Sequence, residues 1–457
     1  GRLMMIDLLS IGLLLLGAVG VGRELLRWWR LPLSNPFERA AFAAGLGYGV
    51  LILVTLFLGL VGLLRPGIVM GVTGLWIVFG CYRLGVGGVS RHVTAMARTL
   101  RDPWHALLVC LILGSLLFLA LKAAAPPHGA TDPLAYQLAL PKIFLQKGYL
   151  SFEATITGAL YPDNMNMLYV VGLALRNGAL AQLIHWSTAL LCVVGLIGLC
   201  ERYLSRDAGL LAGIIFLSMP LVTVFAPLGY IDVGLCFFQF LALWALANWV
   251  QEPGRRSLLL AAVLTGLAIG TKHQGLATIA VAVPVVLVAS WRQGGRNHAL
   301  RSVALFGAVA LSLALPWYVR AWAMAGNPLW PLANGLFGGT PFGAAPVILS
   351  GYGGLASGSL GGLIPSLAWW SSHLESMSPW SWAFMKGGPQ KATGIYFIAL
   401  LPVALLGWRH RHLRVILLFC LVYYGILVRA LHMNPRYGMV LFVFASAAAG
   451  WGAHYLA

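Results

Sequence analysis

Charge is what this chain most conspicuously lacks. Only 9% of its 457 residues are Asp, Glu, Lys or Arg, against roughly 25% in soluble domains. That deficit excludes an ordinary soluble globular protein. A transmembrane β-barrel is excluded too, since no ~10-residue segments of alternating polarity occur. The six cysteines, Cys81, Cys110, Cys192, Cys200, Cys236 and Cys420, include no C-x-x-C pair. Neither a metal site nor a disulfide framework is supported, and they read as small core residues. Low-complexity tracts, solenoid repeats and a soluble domain are all missing. The first apolar run, 6–21, lacks a basic n-region and a small-x-small cleavage site, so no cleavable signal peptide is expected.

What is present is hydrocarbon-compatible sequence, 60% hydrophobic overall. A membrane-spanning helix needs ~20 mostly apolar residues, and such runs recur from end to end. The expected fold is an all-α polytopic membrane protein of about thirteen transmembrane helices. They fall near 4–22, 41–63, 67–83, 104–122, 178–200, 208–226, 232–250, 258–271, 276–291, 302–319, 394–408, 415–431 and 437–455. The net charge of +18 is read as topology signal and lipid-headgroup contact rather than nucleic-acid binding. Six basic clusters, holding 18 of the 30 Lys and Arg, fall on one side of these spans. Basic excess marks the cytoplasmic side. The N-terminus is then outside and the C-terminus cytoplasmic, in a multi-pass protein of the cytoplasmic (inner) membrane.

Under this topology the fourth span delivers residues 123–177 to the outer face. Their first part, Ala123 to Tyr169, is too polar to span and too apolar for a free loop. It holds Thr131-Asp132-Pro133, Tyr136, a helical run from Pro133 to about Gln146, and Tyr161-Pro162-Asp163-Asn164. The apolar piece Met165 to Leu175 is too short to span and is expected at the membrane interface. A second outer segment, 320–392, carries Trp322, Trp330, Trp369, Trp370, Trp380 and Trp382 among many Gly and Pro. Its Trp content argues against disorder and for a partly helical lid at headgroup level.

Twelve acidic residues are few enough to sort. Glu24, Glu38, Asp102, Glu201, Asp207 and Glu252 flank inside ends and read as headgroup-level charges, with Asp7 near the outer N-terminus. Asp132, Glu153, Asp163, Asp232 and Glu375 face outward. Asp232 and Lys272 are closely flanked by apolar sequence, and ionisable groups at membrane depth are costly and often functional. They could equally pair with each other and do nothing more. Asp132 precedes Pro133, a helix N-cap pattern, so a carboxylate that only caps a helix stands beside one that faces a pocket.

Thr131-Asp132-Pro133-Leu134-Ala135-Tyr136-Gln137-Leu138-Ala139-Leu140-Pro141-Lys142 resembles the first outer loop of the GT-C glycosyltransferases, in their protein-mannosyltransferase and aminoarabinose-transferase-like branch. Further pieces follow in the family's order: Tyr161-Pro162 with Met167-Leu168-Tyr169; Tyr230-Ile231-Asp232; Gly266-Leu267-Ala268-Ile269-Gly270-Thr271-Lys272; Gly326-Asn327-Pro328-Leu329-Trp330-Pro331; and Pro435-Arg436-Tyr437. The resemblance divides the chain into additional N-terminal transmembrane helices over 1–103 and a GT-C-like core over 104–457, with outer loops 123–177 and 320–392. It implies transfer of a sugar from a polyprenyl-phosphate carrier to an acceptor on the outer face, with inversion. Asp132 would then be the general base or orienting carboxylate. Lys272 and Arg436 would neutralise the carrier phosphate. Asp232 would orient Lys272 or contact the sugar, with His128, His273, Tyr136 and Tyr161 as further contacts. The sequence departs from the family at Gln137, where His is common, and at His273, where Tyr is usual. Asp132 is followed by Pro rather than a second acid, so no divalent metal or other cofactor is indicated. The other readings are a non-catalytic membrane subunit of a larger complex and a transporter of a lipid-linked substrate. Against the transporter, no paired inverted repeats are evident.

Overall fold

The computed structural model describes residues 2–129, 131–156, 158–340, 378–384, 388–430 and 434–457, with the backbone alone at 86–99 and 429–430. Helices α1 (Arg2–Trp29), α2 (Pro36–Leu60), α3 (Pro66–Thr99) and α4 (Pro103–Ala123) are followed by two short ones, α5 (Ala139–Lys147) and α6 (Asn164–Leu175). Then come α7 (Gly178–Tyr203), α8 (Arg206–Ser218), α9 (Pro220–Phe225), α10 (Asp232–Gln251), α11 (Arg255–Ile269) and α12 (Leu276–Ala325). Helices Tyr396–Leu406, Arg411–Ala430 and Met439–Leu456 close the chain. No strand occurs among the described residues.

Among the described residues, ten helical stretches are long and apolar enough to cross a membrane. One of the ten, His273–Ala325, is a double length. It turns at Gly294 and Gly295, where Gly295 takes φ 74, a left-handed conformation suited to glycine. Each of the predicted runs coincides with a helix. The run near 208–226 is split, because Pro220 forces Met219 into an extended conformation between α8 and α9. The protein is therefore a multi-pass helical membrane protein.

Polar residues set the helix starts. Asn35, Asp102, Asn177 and Ser205 each accept a backbone N–H of the helix they precede. The bundle centre is α10, apolar on all sides and buried over almost its whole length. It packs on α7 and α11, while α11 packs on α12 and the helix Met439–Leu456 packs on α8. Close approach between helices relies on small residues. A side chain at Gly20 of α1 would run into the backbone of Gly80 on α3.

Helix α6 forms as predicted, with Asn164 to Gly172 all buried against α2, α5 and α7. Its N-terminus is drawn inward by Asn164, whose backbone N–H reaches the Gly270 carbonyl at 2.8 Å. The Asn164 amide donates to Leu267 O at 3.1 Å and accepts from the Trp317 indole at 2.7 Å. Glu38, expected at headgroup level, is fully buried. It is held by Arg202 at 2.9 Å and by the Asn248 amide at 2.7 Å, which ties α2, α7 and α10 together. Helix α12 stays helical to Ala325, into the segment expected from 320, and stops at left-handed Gly326. Trp369, Trp370 and Glu375 lie outside the described residues.

Candidate active site

Four chain segments far apart in sequence meet at one end of the bundle: the turn after α4, the start of α10, the end of α11 and the turn before the helix Met439–Leu456. Each contributes one charge. Arg436 Nη2 lies 2.6 Å from Asp132 Oδ2 and 2.9 Å from Asp232 Oδ2. Lys272 Nζ lies 2.8 Å from Asp232 Oδ1. Asp232 is 2% exposed and Lys272 7%, so the anticipated pair does form, as half of a four-residue cluster.

The local backbone explains each placement. Asp132 has helical φ/ψ and makes no side-chain cap bond. The reading of it as a helix cap therefore fails, and its carboxylate is turned to Arg436. Residues Pro133–Gln137 form a single wide turn, after which α5 starts afresh at Ala139. The predicted continuous helix from Pro133 is thus two pieces. Such wide turns concentrate at functional sites. Asp232 is the first residue of α10, where the helix dipole favours a carboxylate. The turn before it is fixed by His185, whose Nε2 accepts the Val233 backbone N–H at 3.1 Å while Nδ1 sits 2.8 Å from the Leu228 carbonyl. The Tyr169 hydroxyl donates to the Tyr230 carbonyl in the same turn. Lys272 follows the end of α11, where Gly275 N–H closes back onto its carbonyl. Arg436 sits in a short helical turn capped by Asn434.

Aromatic rings hold the cations in place. The Arg436 guanidinium lies over Tyr230 at 4.6 Å and Phe225 at 4.8 Å, and Lys272 Nζ lies 4.9 Å from the Tyr437 ring. A second row of rings runs alongside. Tyr136 meets Tyr161 edge-on at 6.1 Å, Tyr161 meets His273 at 5.7 Å, and His273 meets Tyr318 at 5.9 Å. His273 Nε2 is 2.9 Å from the Trp330 carbonyl, and its buried Nδ1 has no partner. Burial pulls the Lys272 ammonium below its ordinary value, while Asp232 pulls it back up. The Tyr136 phenol is raised by burial and by the Asp132 charge.

The structure thus joins Asp132, Asp232, Lys272 and Arg436 directly and sets Tyr136, Tyr161 and His273 in the adjoining row. His128 does not join them. It is exposed on the connector, with Nδ1 2.8 Å from the Pro126 carbonyl, and pairs with none of the four charges. Phe225, Tyr230, Tyr437, His185 and Asn164 were given no role by the sequence. Tyr230 and Tyr437 stood inside recognised motifs, whereas His185 and Phe225 sit in apolar runs with no local signal. Among the described residues no three His, Cys, Asp or Glu side chains gather as metal ligands.

One donor in the cluster is left over: Arg436 Nε is buried with no hydrogen-bond partner among the described residues, while Asp232 Oδ2 faces the Arg436 charge. Buried polar atoms are nearly always satisfied, and exceptions call for an explanation. A guanidinium with a spare N–H beside an ammonium is equipped to hold a phosphoryl oxygen.

The model of the dolichyl-phosphate-mannose-protein mannosyltransferase family matches residues 167–320. The crystal structure of ArnT from Cupriavidus metallidurans bound to undecaprenyl phosphate has the same fold, with a TM-score of 0.53 at 18% identity over 78% of this chain and 61% of that one. The present chain therefore spans about three fifths of that protein's length. No curated protein sequence matches it. The likeness read from the sequence motifs holds at the level of fold.

Proposed function

We propose that the chain is a glycosyltransferase that moves a sugar from a polyprenyl-phosphate carrier to an acceptor hydroxyl on the outer face of the membrane. The observation that carries this reading is Arg436, shared between two carboxylates, with Lys272 beside it and its Nε–H unpartnered among the described residues. The carrier phosphate takes the spare Arg436 donor and the Lys272 ammonium. As the sugar C1–O bond to phosphate breaks, the leaving phosphate gains charge, and stabilising developing charge is usually the largest catalytic contribution. The cluster in its present state is neutral, two carboxylates against two cations. An arriving phosphate therefore competes for Arg436 and loosens Asp132 from it. Asp132, 28% exposed at its side chain, then accepts the proton of the acceptor hydroxyl as the new C1–O bond forms. Asp232 stays with Lys272 and keeps it aimed.

The undecaprenyl phosphate named with the ArnT structure belongs to that protein and supports a polyprenyl-phosphate donor here. The test is transfer by the purified protein, reconstituted with polyprenyl-phosphate sugars and a panel of hydroxyl acceptors. Turnover with any donor, lost in Asp132→Asn, supports the reading. The mutual pairing of all four charges favours a second reading, a non-catalytic subunit. No turnover with any donor, together with no binding of polyprenyl phosphate, would establish that one instead.

A further inference from the structure

The opposite end of the bundle holds a second charged site. Helix α10 runs 20 residues from Asp232 to Gln251, ~30 Å at 1.5 Å per residue. Just past its end, Glu252 pairs with Arg202 at 2.9 Å, and Arg202 pairs with Glu38 in the first turn of α2. The start of α2 is therefore about one membrane thickness from the four-charge cluster. There, a cavity of about 340 Å³ opens between the last turns of α1, the link to α2 and the first turns of α2. Arg23, Arg27 and Arg39 line it together with Val19, Leu26 and Leu33.

Of the neighbouring carboxylates, Glu38 is engaged elsewhere and Glu24 is shared between Arg83 and Arg27. Glu24 receives the Arg83 guanidinium on both oxygens and also meets Arg27 at 3.3 Å. Glu38 is enclosed by Arg202, Ser34 and Asn248. Arg23 Nη1 donates to the Leu84 carbonyl at 3.0 Å, which anchors its head at the cavity wall. The Arg39 side chain has no hydrogen bond or ion pair with any described residue. The cavity therefore keeps a net positive lining, although two acids stand within a turn of it. Its apolar wall continues along α1, and Trp28 and Trp29 mark headgroup level on that same helix.

We infer that this cavity is a binding site for an anionic glycerophospholipid, its phosphodiester on Arg39, Arg27 and Arg23 and one acyl chain along Val19 and Leu26. A free phosphate would satisfy the arginines and leave the apolar wall uncovered, whereas a lipid satisfies both. The site lies outside the proposed catalytic cluster and outside the matched family region, so it is independent of the transfer reaction.

The test is native mass spectrometry of the full chain released from nanodiscs of phosphatidylglycerol or phosphatidylcholine. Wild type retains phosphatidylglycerol selectively. Arg39→Gln/Arg27→Gln lowers that retention by about fivefold for each charge removed, whereas Arg39→Lys, which keeps the charge, largely preserves it. Arg414→Gln, at the same end but outside the cavity lining, leaves it unchanged. Equal phosphatidylglycerol retention by wild type and the double variant overturns the site. Displacement of the lipid by millimolar inorganic phosphate overturns the lipid assignment in favour of a soluble anion. Arg39 is exposed and its side chain has no partner among the described residues, so its loss does not threaten folding.

Discussion

Arg436 reaches across 304 positions of sequence to Asp132, Nη2 to Oδ2 at 2.6 Å. The same nitrogen holds Asp232, so one guanidinium joins the turn after α4 to the start of the central helix. A carboxylate paired in this way is poised but restrained, and an anion that competes for Arg436 releases it.

Asp132→Asn keeps the shape and removes the base. A general base contributes about 10²- to 10⁴-fold to a rate, and a loss of turnover of that size is expected. Donor affinity should hold or rise, because the amide competes less for Arg436. Membrane insertion and melting temperature should change little, since Asp132 is partly exposed and caps nothing. Initial rates against donor concentration, with melting followed in detergent, check both parts. Full activity in this variant would remove Asp132 from the reaction.

Lys272→Met and Arg436→Met should each weaken polyprenyl-phosphate binding by roughly 10-fold or more, from the loss of one charge-assisted hydrogen bond of about 1.5–3 kcal/mol. Arg436→Lys should recover only part, because Lys offers a point charge where Arg offers a fork. Binding isotherms with polyprenyl phosphate measure this directly. Unchanged affinity in both Met variants would deny the two cations any part in holding the carrier.

The division between what the residues disclosed and what they concealed follows from range. Spans were readable because hydrocarbon thickness fixes the length of an apolar run, and that constraint is local. Asp232 and Lys272 stood out for the same reason, as charges set in apolar sequence. The ambiguity at Asp132 was real, since a cap and a pocket carboxylate share the same local pattern. The missing cap bond and the approach of Arg436 appear only in the folded chain. His185 was invisible because its work is done on the Leu228 to Val233 turn, more than forty positions away. Glu38 misled because its partners Arg202 and Asn248 come from two other helices.

Asp163 predicts a pH dependence of stability. It is buried, its Oδ1 accepts from the Asn166 amide at 2.9 Å, and its Oδ2 has no partner among the described residues. Burial pushes its carboxyl up to about 8, against the pull of Arg320. The folded state thus holds a proton that the unfolded chain releases near pH 4. The associated stability is fully present below the unfolded value and is lost as pH rises from about 4 through about 8. Asp163→Asn keeps the bond from Asn166 and cannot ionise. Its melting temperature should exceed wild type at pH 8 and converge with it near pH 4. Parallel curves at both pH values would contradict the assignment.

Orientation can be read chemically. His128→Cys places a thiol on an exposed connector beside the cluster. In a background without the native cysteines, an impermeant maleimide should label it from outside intact cells. Arg256→Cys, at the other end of α10 and α11, should label only after permeabilisation. The reverse pattern would invert the topology and move the proposed chemistry to the cytoplasmic face.

The Asp232–Lys272 pair separates structural from catalytic cost. Removing one partner of a buried pair strands the other charge, typically at about 3–5 kcal/mol. Lys272→Met leaves Asp232 with Arg436 alone, and Asp232→Asn leaves Lys272 buried beside a neutral amide. Each single variant should melt well below wild type. The double variant Asp232→Asn/Lys272→Met strands neither charge, so it should be more stable than the sum of the single losses predicts. The coupling should fall within the range of about 0.5–3 kcal/mol seen for contacting residues. Turnover should not recover with stability, because the double variant still lacks the ammonium that holds the phosphate. A double variant that regained both would make the pair purely structural and leave Arg436 as the cation that carries the reaction.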